Sequence, residues 1–410
     1  MSREMKYSGI PWIGNIPCSW DVARIKTIFK ERTELSEDGS ETLLSVSEYY
    51  GVANRSERVS EGEFVSRAET LVGYKKCYVG DLVSNIMLAW KGSMGITEID
   101  GIVSPAYCVY EPSPRIYPRY YHYLFRTSLY TSIFRLYSKG IIDSRLRLYS
   151  PYFFDISAII PSLSEQQKIA LFLDRKCAEI DEMIALQEKI IDELKAYKQS
   201  VITEAVTKGL NPDVPMKDSG IEWIGEIPDH WSRYRLKYLC SIQTGDKDTQ
   251  DAVQDGQYPF YVRSPHVEKS NNYSFEGEGI LMAGDGAGAG RVFHHVYGKY
   301  AVHQRVYRMY NIQNIIQSDY LFFYISNLFC KVMDMGSAQS TVPSVRLPML
   351  TNFATCIPPR VEQETIAEYL NAKCTEIENL ISIKLSKIDS LKEYKKSIIY
   401  EHVTGKKEVI

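Results

Sequence analysis

The chain has 410 residues, with 48 Lys and Arg against 51 Asp and Glu and a net charge of −3. That length suits about two or three domains, and the near-neutral balance excludes a global basic field of the kind that draws a whole chain onto nucleic acid. No apolar run approaches the ~20 residues of a membrane-spanning helix, and the opening MSREMKYSG lacks the apolar core of a secretory signal.

The first phrase in chain order is GIPWIGNIPCSW, residues 9–20, and GIEWIGEIPDHW returns at 220–231. Residues 5–26 align with 216–237 without a gap, with 13 of 22 positions identical. A repeat at this distance marks duplicated architecture. After the first phrase, residues 40–112 carry glycine, β-branched and aromatic residues between turn signals, which predicts short strands of a mixed or antiparallel sheet. An apolar, aromatic stretch of helical length follows at 118–137, then a glycine turn at Gly140 and the pair Arg147-Leu148.

A long helical phrase begins at Ile160-Pro161, with Ser164 and Glu165 as its start signal. Apolar residues recur at a 3-4 spacing: Ile169, Leu173, Ile180, Met183, Ile190, Leu194, Tyr197 and Val201. This is a heptad seam, interrupted by Lys176 and Gln187. Gly209 and the prolines at 212 and 215 then mark a boundary.

The second half repeats this order. Strand-like sequence fills 256–310, an apolar helical stretch 318–334, then Gly336 and the pair Arg346-Leu347. The second long helical phrase starts at Ile357, and residues 160–207 share 23 of 48 positions with 357–404. Its seam is Ile366, Leu370, Ile377, Leu380, Leu391, Tyr394 and Ile398, interrupted by Lys373, Lys384 and Lys387. Either helix is about 40 residues, roughly 60 Å, and neither can bury its seam alone. The two can bury each other, or each can pack on its own globular half.

The expected organisation is a first domain at 1–158, a long helix at 159–208, a second domain at 209–355 and a C-terminal helix at 356–410. Charge is uneven within it. Residues 31–69 hold ten acids against four bases, and 112–154 hold seven bases (Arg115, Arg119, Arg126, Arg135, Lys139, Arg145, Arg147) against Asp143 alone. Residues 286–318 hold no acid but carry Arg291, Lys299, Arg305, Arg308, His294, His295 and His303. Such stretches suit a phosphate-tracking surface, a solvated face or an acidic protein partner.

Enzyme motifs fail on context. GDGAGAG, residues 284–290, follows a strand-like stretch, but RVFHHVYGKYAV after it reads as strand, where a dinucleotide site needs a helix. Neither Gly-Lys pair is followed by Ser or Thr, so there is no Walker A loop, and no Pro-Pro-Tyr or Pro-Pro-Phe of amino-methyltransferases occurs. The acid-x-Lys triplets at 193–195 and 393–395 lie on the long helices as surface charge. His294-His295 lacks a nearby acid or cysteine to complete a metal site. Eight scattered cysteines form no C-x-x-C pair or zinc spacing, which predicts reduced thiols in a cytoplasmic protein.

SGIPWIGNIPCSW with SGIEWIGEIPDHW, and IPSLSEQQKIALFLDRK with IPPRVEQETIAEYLNAK, give the chain a resemblance to the specificity subunits of type I restriction–modification systems. The resemblance covers nearly all 410 residues. It implies an α+β fold: two target recognition domains related by a pseudo-twofold axis and joined by two long helices in an antiparallel coiled coil. It also implies partners, namely double-stranded DNA, two modification (methyltransferase) subunits and restriction/translocase subunits. S-adenosylmethionine, ATP and Mg2+ belong to those partners, and this chain holds no cofactor or metal and is not itself an enzyme.

Two half-sites read from one duplex face lie about one helical turn apart, roughly 34 Å or slightly more. The residues favoured for DNA contact are Lys91, Ser93, Lys139, Arg145 and Arg147 in the first domain. In the second they are Arg291, His294, Gln304, Arg305, Gln339, Ser340 and Arg346, with 336–348 as the leading loop. A stand-alone two-domain DNA-binding regulator and a scaffold that binds no DNA are the competing readings.

Overall fold

The computed structural model describes residues 3–57, 70–336 and 343–409. The chain divides into two units, Met1–Gln187 with Ser386–Ile410, and Glu188–Leu385. Each unit therefore holds one globular domain and part of both long helices.

In the first unit the opening phrase is a hairpin, Met5–Tyr7 paired with Asn15–Pro17. The next strand, Asp21–Arg24, pairs antiparallel with Ser157–Ile160, which ties the start of the domain to its end. Between them lies a four-stranded antiparallel sheet in the order Phe29–Arg32, Tyr107–Pro112, Leu82–Asn85, Met94–Ile96. The expected helix at 118–137 is two helices, Pro118–Leu124 and Ser128–Tyr137. The break falls at Thr127, whose hydroxyl caps the second helix by accepting from the Tyr130 N–H. Buried aromatic rings fill the core: Trp20, Tyr120, Tyr121, Phe125, Tyr130, Phe134 and Phe153. Most meet edge-on or tilted, the geometry that ring quadrupoles favour.

The second unit repeats that order. Met216–Asp218 pairs with Glu226–Pro228, and Ser232–Arg235 with Ala354–Ile357. Its four-stranded sheet runs Ser241–Thr244, Val306–Tyr310, Gly279–Ala283, Phe293–Val296, matching the first strand for strand. The insertions differ. The first domain adds two separate two-stranded ribbons, and the second adds a mixed four-stranded sheet in which Tyr258–Tyr261 runs parallel to Lys299–Val302. Conserved framework topology with unlike insertions is the structural counterpart of duplicated phrases around diverged segments.

The long helices are Leu163–Lys208 and Arg360–Val403. In the first unit Phe172 packs on His402, and Lys395 Nζ bonds Asp181 at 2.6 Å. In the second, Lys198 pairs with Glu378, and Gly209 just past the central helix lies against Glu362. Residue numbers rise on one helix as they fall on the other, so in each unit the pair is antiparallel.

The buried seam corrects the expected one. In the central helix Leu173, Cys177, Ile180, Gln187 and Ile191 are buried, and Met183 and Tyr197 are exposed. In the C-terminal helix Leu370, Cys374, Ile377, Ile388 and Ile398 are buried, and Leu380 and Tyr394 are exposed. The true stripe follows a 4-3 spacing that passes through Cys177 and Cys374 where Lys176 and Lys373 were expected. It includes Lys198 and Lys395 as half-buried positions. Their alkyl stems lie along the seam while the ammonium groups reach acids on the facing helix.

Candidate nucleic-acid interface

Both repeated phrases converge on one seat per unit. The Trp20 indole donates to Glu165 Oε2 at 2.7 Å, and the Trp231 indole donates to Glu362 Oε1 at 3.1 Å. Both indoles are buried. The neighbouring glutamines anchor the domain's helical layer. Gln166 Oε1 accepts from the Tyr117 N–H at 2.8 Å, and Gln363 Oε1 from the Gln317 N–H at 2.7 Å. Tyr120 and Tyr320 then donate to the Val403 and Val206 carbonyls, at the far end of the other long helix. Each long helix ends in a left-handed glycine at the seat, Gly405 against Pro17 and Trp20, Gly209 against Trp231 and Glu362. The Glu-Gln pair after the proline is thus a two-sided clamp, holding the opening phrase with one side chain and the domain with the other.

The surfaces held by these seats carry the candidate residues. In the first domain, Lys139 and Arg147 exchange two backbone hydrogen bonds of 2.8 and 2.9 Å, closing the loop 139–147. Gly140 has φ +152°, and a Cβ there would lie 2.5 Å from the Arg145 carbonyl, so only glycine fits this turn. Arg135 pairs with Asp143 at 2.7 Å and lies over the Trp90 ring at 5.0 Å, and Lys91 lies over the same ring at 5.3 Å. Trp90 and Arg135 thereby join Lys91 to the loop. Lys139 is exposed with its ammonium over Tyr152 at 4.6 Å. The Arg145 side chain is exposed, with no hydrogen bond or ion pair to any described residue, while its backbone N–H donates to the Ile142 carbonyl at 2.8 Å.

Two expected residues leave this surface. Ser93 is buried and its hydroxyl donates to the Val46 carbonyl, a tie between strands. Arg147 spends its guanidinium on the Ser144 and Leu146 carbonyls and braces the loop from within. Much of the basic run is also spent internally. Arg119 bridges Asp174 and Glu98, and Arg126 donates to the Glu48 and Tyr49 carbonyls. Burial and the nearby Arg119 lower the Arg126 pKa to about 10.

In the second domain the glycine-rich stretch 284–290 is a turn between antiparallel strands Gly279–Ala283 and Phe293–Val296, so no dinucleotide helix follows it. Gly290, at φ +64°, packs against Phe329 and Met333, and a Cβ at Gly288 would meet the Arg263 carbonyl at 2.4 Å. These glycines serve close packing. Asp285, in that turn, receives Arg263 at 3.0 Å and approaches Arg305 at 3.8 Å. Gln304, beside Arg305 on an exposed turn, donates to Asp248 at 2.8 Å. Ser344 bridges to Asp285, and the Val345 N–H donates to the Gly284 carbonyl at 2.7 Å. Arg263, Gln304, Arg305 and residues 343–346 therefore border one loop cluster.

Arg346 is exposed at its edge. It corresponds to Tyr149, because Val345 and Leu148 make the equivalent backbone bonds, to Gly284 and Ile86. The Arg-Leu pairs expected to match are thus two residues out of step. Gln339 and Ser340 lie outside the described residues.

Arg291 is exposed and paired with Asp334 at 2.7 Å. His294 is half-buried beside Tyr261 with Nε2 at 3.4 Å from the Ser264 carbonyl, and burial lowers its pKa. It makes a half-buried internal contact. Arg308 and His303 are buried as well. The Arg308 guanidinium donates to Tyr300 Oη at 2.8 Å and stacks on Phe275 and Tyr310 at 4.7 and 4.5 Å. The sequence reading missed Trp90 and Arg263. Trp90 had the signal of an aromatic beside a lysine in a glycine-bordered turn, while Arg263 stands in a segment without basic clustering.

No group of three or more His, Cys, Asp or Glu among the described residues is arranged to hold a metal ion. No helix among them is long and apolar enough to cross a membrane.

Residues 228–387 match the family model of the Type I restriction modification DNA specificity domain. The specificity subunit of the type I restriction enzyme EcoDI from Escherichia coli is 28% identical over 182 residues, 44% of this chain and 39% of that protein. The chain thus matches well under two thirds of that relative's length. The MjaVIII specificity subunit of Methanocaldococcus jannaschii is 25% identical over 354 residues, 79% of each chain. A structure solved in work on assembly and conformational transition of the type I R-M system aligns with TM-score 0.71 at 14% identity, covering 95% of this chain and 98% of that one. The HsdS subunit of Thermoanaerobacter tengcongensis aligns with TM-score 0.53 at 16% identity over the same shares. These two structures share the fold. With the duplicated framework and its paired Trp–Glu seats, these matches make the chain similar to the specificity subunits of type I restriction–modification systems.

Proposed function

We propose that this chain is the DNA-recognition subunit of a type I restriction–modification complex, with each domain reading one half of a split, asymmetric site. The observation that carries this is the repeated seat. Trp20–Glu165 and Trp231–Glu362 hold two domains of equal framework and unlike insertions. Each domain presents exposed cations at the loops beside its closing strand: Lys91, Lys139 and Arg145 in one, Arg263, Arg305 and Arg346 in the other. Lysine and arginine at such loops neutralise phosphates, and arginine also reads guanine edges in the major groove. Unlike loops on a common frame give unlike half-sites.

Modification and restriction subunits dock on the complex and carry the chemistry, with S-adenosylmethionine, ATP and Mg2+ bound to them. This chain contributes recognition and spacing, without catalysis, in the cytoplasm. A stand-alone regulator makes a different prediction. Gel filtration and duplex-binding measurements of the purified chain, with and without modification subunits, separate the two. A stable complex with those subunits and tight sequence-selective binding only within it are expected. Tight selective binding by the chain alone, with no association, overturns the proposal.

A further inference from the structure

The loop 139–147 carries something that phosphate binding does not need. Ile141 stands at its tip with relative exposure of 101%, and Ile142 beside it is also exposed. The loop is not loose. Its base is closed by the two Lys139–Arg147 backbone bonds, its turn is fixed by Gly140, and its side is braced by the Arg135–Asp143 ion pair. A braced loop that pushes two β-branched apolar side chains into water gains nothing for its own domain, whose core is filled without them. Lys139 and Arg145 lie on either side of the tip, and the one acid of the loop, Asp143, is already neutralised by Arg135. An apolar point between two exposed cations complements a duplex, whose phosphates flank an apolar stack of bases. A pocket on a protein partner calls for the apolar point but leaves the cations unexplained.

We propose that Ile141 is a wedge that enters the target duplex at a base step and partly unstacks it, with Lys139 and Arg145 held to the phosphates on either side. This rests on the reading of the chain as a DNA-recognition subunit and adds to it a contact by intrusion. Apolar side chains inserted at a step kink and open it, and flexible pyrimidine–purine steps cost least. The first half-site is therefore sensitive to a step whose base edges need no hydrogen bond.

The test uses the full chain assembled with its modification subunits and duplexes carrying the mapped site, with 2-aminopurine placed at successive positions of the first half-site. The wild-type complex is expected to raise 2-aminopurine fluorescence at one step. Ile141→Ala is expected to abolish that rise and weaken binding roughly tenfold, the scale of an isoleucine's burial. Ile141→Met should restore both in large part. Arg145→Ala should weaken binding with the fluorescence rise retained at saturation. A bound wild-type complex with no unstacked step, or an Ile141→Ala complex with unchanged signal and affinity, overturns the wedge and leaves DNA recognition standing. If Ile141→Ala instead loses the modification subunits while binding DNA as before, the tip is a protein contact and the wedge is wrong. If no variant, wild type included, binds duplex selectively, the failure lies with the DNA-recognition reading itself.

Discussion

The Trp20 indole N–H points at Glu165 Oε2, 2.7 Å away, and the residues occupying the repeated positions, Trp231 and Glu362, make the same bond at 3.1 Å. Two phrases 145 residues apart in the first half meet at one buried point. Arg3 adds a second partner to Glu165, and His230 to Glu362 at 2.8 Å. The seat fixes where a domain stands on its helix and leaves the loops beyond it free to vary.

Loss of this seat should cost stability without changing the bases read. Trp231→Phe removes the donor and leaves Glu362 with its indole partner missing, a cost of about 1–3 kcal/mol. Trp231→Ala also opens a cavity and should cost about 3–5 kcal/mol. Denaturant titration measures the loss, and the methylated sequence should be unchanged in the Phe variant.

Arginines of the second domain should separate by burial. Arg308→Met removes an internal hydrogen bond to Tyr300 and should lower stability with the recognition sequence intact. Arg305→Ala, on the exposed turn, should leave stability within about 0.5 kcal/mol and cost about 1–3 kcal/mol in DNA affinity, relaxing one position of the site if it reads a base or weakening all sequences alike if it holds a phosphate. Binding titrations over a set of single-base variants distinguish these outcomes.

The coil register should depend on the crossed pairs Lys198–Glu378 and Lys395–Asp181. Both are partly exposed, so Lys395→Ala should cost only about 0.2–1 kcal/mol. Lys395→Asp places like charges together and should cost more, and Asp181→Lys in the same chain should restore most of the loss. Thermal unfolding of the two single variants and the double variant gives the coupling directly.

Acid should weaken the first unit through His122. Burial, with Arg126 and Arg119 nearby, lowers its pKa well below the ordinary 6.5. The folded state therefore refuses a proton that the unfolded chain accepts. Stability from this group is fully present above 6.5 and falls as pH drops below that value, by up to about 1.4 kcal/mol per pH unit. His122→Gln should flatten the slope below pH 6.5 relative to wild type, measured by denaturant midpoints across pH.

The framework was legible in the sequence because duplication leaves two copies to compare: Trp20 with Trp231, Glu165 with Glu362. The coil seam was half legible. Cys177 and Cys374 read as reduced thiols and Lys395 as surface charge, so a neighbouring heptad through Met183 and Tyr197 matched the apolar pattern as well. Only the facing helix, with Glu378 and Asp181, decides between them. Charge composition located the basic stretches but not their direction. Arg308, Arg126 and His303 are as basic in sequence as Arg145, and pairing with aromatic rings or backbone carbonyls turns them inward. Ser93 failed for a related reason, since a turn serine and a buried strand tie look alike without the Val46 carbonyl beside it.

Methylation mapping decides whether the chain reads a split site: the chain is expressed with its modification subunits in a host that lacks the system, and modified bases are located genome-wide. One split motif with two unlike halves separated by an unread spacer is expected. Replacing residues 236–353 with the corresponding segment of a relative should change one half only. A continuous palindromic motif, or no motif dependent on this chain, would contradict the split site.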